Sequence, residues 1–114
     1  MLLSDRFSTY RHNEIRDNKT WGFLAIDQAT VNVFVAPGTF DPVSDPQALE
    51  GHCIRNNSLT NNGYDPNSGA PSGTEGQILH LPLGARTFAN GWVDNATAQP
   101  ALSSTPGGMT STCP

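Results

Sequence analysis

The sequence predicts a mostly β fold in one small domain, and three observations lead to this prediction. The chain has 114 residues, which is enough for one modest core. Its most clearly patterned stretch, WGFLAIDQATVNVFVAPGTF at residues 21–40, has two short apolar runs around a polar turn, as in a hairpin. The rest is rich in Gly, Pro, Asn, Ser and Thr, which favour turns and loops.

The composition divides the chain into three parts. We expect an extended N-terminal arm or a short helix, a β-rich body that contains a long Gly/Asn/Pro loop, and an extended Ser/Thr/Pro tail. The arm is residues 1–20, the body residues 21–93 with the loop at 55–76, and the tail residues 94–114. No internal repeat is found.

Within the body, the pattern predicts three β elements. The first is the hairpin over Trp21–Phe40. The second is a strand over Gln77–Leu83, which Pro82 places at an edge or at an end. The third is a type I′ hairpin at Asn90-Gly91, because this dipeptide lies between Phe88 and Trp92. Helix is expected only in the first twenty residues and in one turn near Pro46.

The charge distribution argues against a nucleic-acid partner. The net charge is −4, and from residue 20 onward two arginines stand against seven acids, so most of the surface would repel phosphate. No signal peptide or membrane span is present, so no membrane partner is predicted. A virion protein assembled in the host cytoplasm fits this pattern, and so does a mature extracellular domain without its leader.

The two cysteines, Cys53 and Cys113, leave two alternatives open. A bridge would stabilise the domain by about 4 kcal/mol in the loop-entropy model and would hold a tail that has little to bury. Assembly in a reducing cytoplasm would instead favour two free thiols. We predict the bridge, because the tail needs an anchor.

No motif in the chain predicts catalysis, so we expect a protein that is not an enzyme and has no cofactor. His52 adjoins Cys53, but no further Cys or His follows at the spacing of a metal site. No nucleophile motif of the G-x-S-x-G kind occurs.

Aromatic and arginine side chains are the candidate interface residues, because these types dominate the centres of protein interfaces. We expect the arm and the 55–76 loop to bind neighbouring subunits, since a loop with few apolar side chains cannot offset its ordering entropy alone. The candidate residues are Arg6, Phe7, Tyr10, Arg11, Trp21, Tyr64 and Trp92.

The hairpin, its closing GTF and the preceding SDRFSTYR resemble the core and arm of the lambda-type phage head decoration proteins, over about residues 4–41. This resemblance implies a capsid cement protein that binds the major capsid protein, sits on the shell as a trimer and braces it. It implies no catalytic residue. The Asn/Gly loop and the Cys53–Cys113 pair have no counterpart in that family.

Two other functions fit the same sequence. The first is a pilin-like or other extracellular filament subunit, which would here lack its apolar N-terminal helix. The second is a small secreted carbohydrate-binding module, in which exposed Trp92 and Tyr64 would stack on sugar rings.

Overall fold

Three parallel sheets wind around one core in the computed structural model, which describes residues 1–3, 7–31, 33, 49–70, 73–82 and 89–114. Each turn of the chain adds one strand to each sheet, so the described part forms three stacked coils of a parallel β-helix. The first coil contains β1 (Leu2–Leu3), β2 (Thr9–Arg11) and β3 (Glu14–Arg16). The second contains β4 (Trp21–Ile26), β5 (Cys53–Arg55) and β6 (Ser58–Thr60), and the third β7 (Gly76–Leu81), β8 (Gly91–Val93) and β9 (Ala96–Ala98).

The sheet orders are β1-β4-β7, β2-β5-β8 and β3-β6-β9, and every pairing is parallel. In β2, β3, β6 and β9 the middle side chain is more buried than its two neighbours, as alternation along a strand requires. The interior positions form one apolar cluster across the three sheets, made of Ile15, Phe23, Ala25, Leu49, Ile54, Leu59 and Trp92. The prediction of a small β-rich domain with almost no helix is confirmed.

A five-residue period underlies the coils. Strands β2 and β3 bury Tyr10 and Ile15, and β5 and β6 bury Ile54 and Leu59, five residues apart in each case. A residue with positive φ lies at the corner next to most of these short strands, because a tight corner needs this conformation. All seven non-glycine residues with positive φ in the described part lie at such corners: Phe7, His12, Asp17, Asn56, Asn61, Asp94 and Gln99.

The coils repeat in the structure, although no repeat of fixed length is found in the sequence. In the β2-β5-β8 sheet the second coil matches the first at a shift of 44 residues (Thr9 with Cys53), and the third matches the second at a shift of 38 (Cys53 with Gly91). In the β1-β4-β7 sheet the corresponding shifts are 22 (Leu2 with Leu24) and 55 (Trp21 with Gly76). The shifts differ from coil to coil, and the five-residue period matches neither the period of about 2 of a strand nor that of about 3.6 of a helix. For these two reasons the repeat is hard to detect in the sequence.

Both predicted hairpins are also wrong. Strand β4 forms, but it pairs in parallel with β1 and β7, and one helical turn, α1 (Gln28–Thr30), follows it. Asp27 is the N-cap, since its Oδ1 accepts the Thr30 backbone N–H at 2.8 Å. Val31 and Val33 lie outside the strands, while residues 32 and 34–40 of the predicted second strand lie outside the described residues.

At the second predicted hairpin, Asn90-Gly91, Asn90 is a corner residue and β8 pairs in parallel with β5. The predicted partner Phe88 lies outside the described residues, as does the turn predicted at Pro46.

The other segment predictions differ from the structure in similar ways. The described residues of the arm, 1–3 and 7–20, carry strands β1 to β3 and no helix. The predicted loop 55–76 contains β6, and the predicted tail contains β9. The strand at Gln77–Leu83 is confirmed as β7, which lies at the edge of its sheet and ends just before Pro82. No helix in the part of the chain described is long and apolar enough to cross a membrane.

Candidate interaction surfaces

Asparagine ladders fix the corners between the strands. The backbone N–H and Nδ2 of Asn57 both donate to Oδ1 of Asn95 at 3.0 Å, and those of Asn13 donate to Oδ1 of Asn57 at 3.0 and 2.9 Å. Asn18 donates in the same way to Oδ1 of Asn62. Each corner amide therefore bonds to the next coil, and the ladders hold the coils in register.

The same corners tie side chains to the backbone of the preceding coil. Nδ2 of Asn62 donates to the carbonyl of Ile15 at 2.9 Å and to Oε1 of Gln77 at 2.7 Å. Asn62 and Gln77 are almost fully buried, so these bonds satisfy polar groups that water cannot reach. The ladders are structural and rigidify the body on which the surfaces below are displayed.

The C-terminal segment closes one end of the stack. Thr110 continues the sheet of β8, because its N–H donates to the Asn90 carbonyl and its carbonyl accepts the Trp92 N–H. The chain then turns back over the outer face of this sheet. An added Cβ on Gly91 would lie 2.6 Å from the Thr112 carbonyl oxygen, so only glycine fits beneath the returning chain.

The predicted disulfide is present: Cys53 in β5 is bonded to Cys113. Residues 110–114, called the strap below, thus join the third coil to the second. Pro114 reaches the first coil, where it lines a groove of about 400 Å³ together with Phe7 and Thr9.

The outer face of the β2-β5-β8 sheet carries two opposed arginines. Arg11 and Arg55 are direct partners in register on neighbouring parallel strands, which lie about 4.8 Å apart. Both are exposed, and neither has an ion pair among the described residues. Nε of Arg55 donates only to the neighbouring Asn56 side chain. Like charges placed opposite each other are unfavourable unless an anion lies between them.

Phe7 lies at the corner before β2, at the other end of this strand from Arg11, and is 74% exposed. Its φ is +58°, an unusual value for a bulky residue. The ring covers Gly51, the corner residue of the next coil, whose own φ of +73° and lack of a Cβ make room for it. We name Phe7, Arg11 and Arg55 the arginine face.

The first coil, at the end of the stack opposite to the third coil, has free strand edges. Strands β2 and β3 pair on one side only, with β5 and β6, as far as the described residues go. The outward side chains of β3 are Glu14 and Arg16, 69% and 64% exposed, with Oε1 of Glu14 3.4 Å from Nε of Arg16. Ile15 between them is buried.

A histidine connects the third coil to the C-terminal segment. His80 bonds through Nδ1 to the Gly107 carbonyl at 3.1 Å and through Nε2 to the Asn90 side chain at 3.0 Å. Burial lowers the pKa of His80, the Gly107 contact raises it, and the charges of His52 and Asp27 lower and raise it respectively. The net effect is a lowered pKa.

The predicted interface residues are divided between surface and core. Phe7 and Arg11 lie at opposite ends of β2 on the arginine face, whereas Tyr10 is half-buried against Phe23 and His52. Trp92 is buried in the core, 6.2 Å from Phe23 between ring centroids, so it is not the exposed sugar platform expected. The remaining candidates follow: Trp21 is half-buried, Tyr64 is 49% exposed, and Arg6 lies outside the described residues.

The sequence analysis missed Arg55, the Glu14–Arg16 pair and the ladder asparagines. Asn13 and Asn18, and again Asn57 and Asn62, recur five residues apart, and this spacing was the available signal. In the described residues no three His, Cys, Asp or Glu side chains are placed to hold a metal ion. Comparisons with protein-family models, curated proteins and solved structures found no match to the chain.

Proposed function

We propose that this chain is a non-enzymatic structural protein of a virion surface, such as a capsid decoration or cement subunit, and that the arginine face binds the shell protein. The alternative, from a different class of function, is a carbohydrate-binding module. The supporting features are a rigid body and one surface built for contact.

Rigidity is the first support. A cement protein must resist deformation, and here the coils are joined by backbone ladders, by corner amides and by a disulfide. Each joint links neighbouring coils, so a force applied to one coil is carried to the next through several parallel connections.

The observation that carries the proposal is the arginine face, which exposes Phe7 at one end of β2 and, at the other end, two arginines that have no ion pair among the described residues. Aromatic and arginine side chains are enriched among the residues that contribute most to binding. An exposed ring at positive φ costs free energy in the isolated subunit, and a partner that buries it would offset that cost. The arginines indicate an acidic patch on that partner.

Co-sedimentation with the particles of the encoding virus tests the proposal. The wild-type protein should pellet with particles stripped of it and should raise the temperature at which they release their genome. Phe7→Asn should reduce binding at least tenfold, because asparagine tolerates the positive φ but removes the ring. Arg55→Glu should do the same.

Lys19→Glu is the matched control for Arg55→Glu, since it makes the same charge change on another exposed surface. It should bind like the wild type. A wild-type protein that stays in the supernatant, or two face variants that bind normally, would refute the virion role of this surface.

One observation favours the carbohydrate-binding alternative. Trp21 lines an open groove of about 340 Å³ together with Asn18 and Lys19, so an aromatic ring and polar side chains meet at one surface. Nε1 of Trp21 already donates to the Thr74 carbonyl at 2.7 Å, which fixes the ring. A glycan-array screen with the Trp21→Ala variant as control distinguishes this function from the first.

A further inference from the structure

The open end of the stack has hydrogen-bonding groups ready for another strand. Within the second and third coils, each ladder Oδ1 accepts two N–H groups from the coil before it, as Asn57 and Asn95 do. Oδ1 of Asn13 has no donor in the part of the chain that the structure describes. The free backbone edge of β3 adjoins it. Unpaired edges of this kind favour the addition of a further strand.

The charges of β3 indicate which strand would fit. In an antiparallel pair centred on Ile15, residue 14 of one chain lies opposite residue 16 of the other. Glu14 would then face Arg16 of a second copy, and Arg16 would face its Glu14, so the sequence Glu-Ile-Arg is its own complement.

The present partners of these side chains do not prevent the exchange. Arg16 contacts Glu14 at 3.4 Å and Asp17 at 3.9 Å, both as exposed pairs that solvent weakens. In this pairing residue 13 of one chain lies opposite residue 17 of the other, so the two Asn13 amides lie at opposite ends of the paired strands.

We propose that a second copy of this chain docks on the free edge of β3, antiparallel and around a two-fold axis, to form a dimer. This inference goes beyond the proposed virion role and does not depend on it, because the arginine face belongs to a different sheet. The contact is isologous, and both copies use the same three residues.

Size-exclusion chromatography with light scattering on the full chain tests the dimer. We expect twice the chain mass of 12.2 kDa over a range of protein concentrations. Glu14→Arg alone places Arg opposite Arg, and Arg16→Glu alone places Glu opposite Glu. Each should weaken the dimer at least tenfold.

The double variant Glu14→Arg/Arg16→Glu restores the complement and should dimerise like the wild type. Ala96→Arg is the control, since it adds charge to the same sheet two strands further from the edge and away from Glu14. Circular dichroism shows whether each variant is folded. A monomeric or trimeric wild type, single variants that dimerise normally, or a double variant that fails to recover would overturn the proposal.

Discussion

The two ends of the coil stack are built differently. At the C-terminal end, Met109 packs against the core, Thr110 extends a sheet and the strap is bonded to Cys53. At the N-terminal end, β2 and β3 have free edges in the part of the chain described here. A parallel β-helix has exposed edges at each end. Here the C-terminal segment covers the edge of β8 and is bonded to the second coil, whereas no described residue adds a strand to β2 or β3.

Removing the disulfide that holds the strap should give the largest loss of stability. The double variant Cys53→Ser/Cys113→Ser removes a link that spans 60 residues, which should lower the free energy of unfolding by about 4 kcal/mol. Urea denaturation measures this loss. Hydrogen exchange should show faster exchange of the Trp92 amide, whose N–H bonds to Thr110.

The first coil provides the internal control for this prediction. The amide of Asn13, which bonds to Asn57, should keep its protection relative to global unfolding. A double variant that loses less than about 1 kcal/mol would show that the strap is held by its hydrogen bonds and not by the disulfide.

Breaking the interior of the stack should have the next largest effect. Asn62→Ala removes the bonds to the Ile15 carbonyl, to Gln77 and from Asn18, and leaves buried polar groups without partners. We expect a loss of about 3 kcal/mol in the free energy of unfolding. Asn67→Ala, at an exposed site, should be neutral. If Asn62→Ala is equally mild, the closed end and not the ladders determines stability.

The sequence predicted the fold only at the level of composition and local pattern. A short apolar run located β4, alternating apolar residues located β7, and Pro82 indicated an edge or an end for β7, because these features depend on local backbone geometry. The direction of strand pairing does not depend on local backbone geometry alone. A strand followed by a polar turn favours a hairpin locally, but here Asp27 caps a helical turn and β4 pairs with strands from other coils.

The arginine face was predicted only in part, because local sequence does not show which strands become neighbours. Phe7 and Arg11 could be named from their residue types, whereas Arg55 lies 44 residues away and reaches Arg11 only through the register of two coils. Trp92 was misplaced because a β8 of three residues gives no periodicity from which its buried side could be deduced. The bridge from Cys53 to Cys113 was predicted correctly, because a tail poor in apolar residues needs an anchor.

The pH dependence of the closed end should give the smallest effect. His80 contacts Gly107 of the C-terminal segment, and His52 and Asp27 are the titratable groups that act on it. Because burial lowers the pKa of His80 below its usual 6.5, the folded protein binds fewer protons than the unfolded chain at mildly acidic pH. Stability should therefore fall as the pH is lowered through about 6.5, and the loss is complete below the folded pKa.

His80→Gln can keep both hydrogen bonds without titrating, so its stability should change less between pH 7 and pH 5. Thermal unfolding at several pH values measures these slopes, and equal slopes for wild type and His80→Gln would show that His80 does not make this contact pH-sensitive.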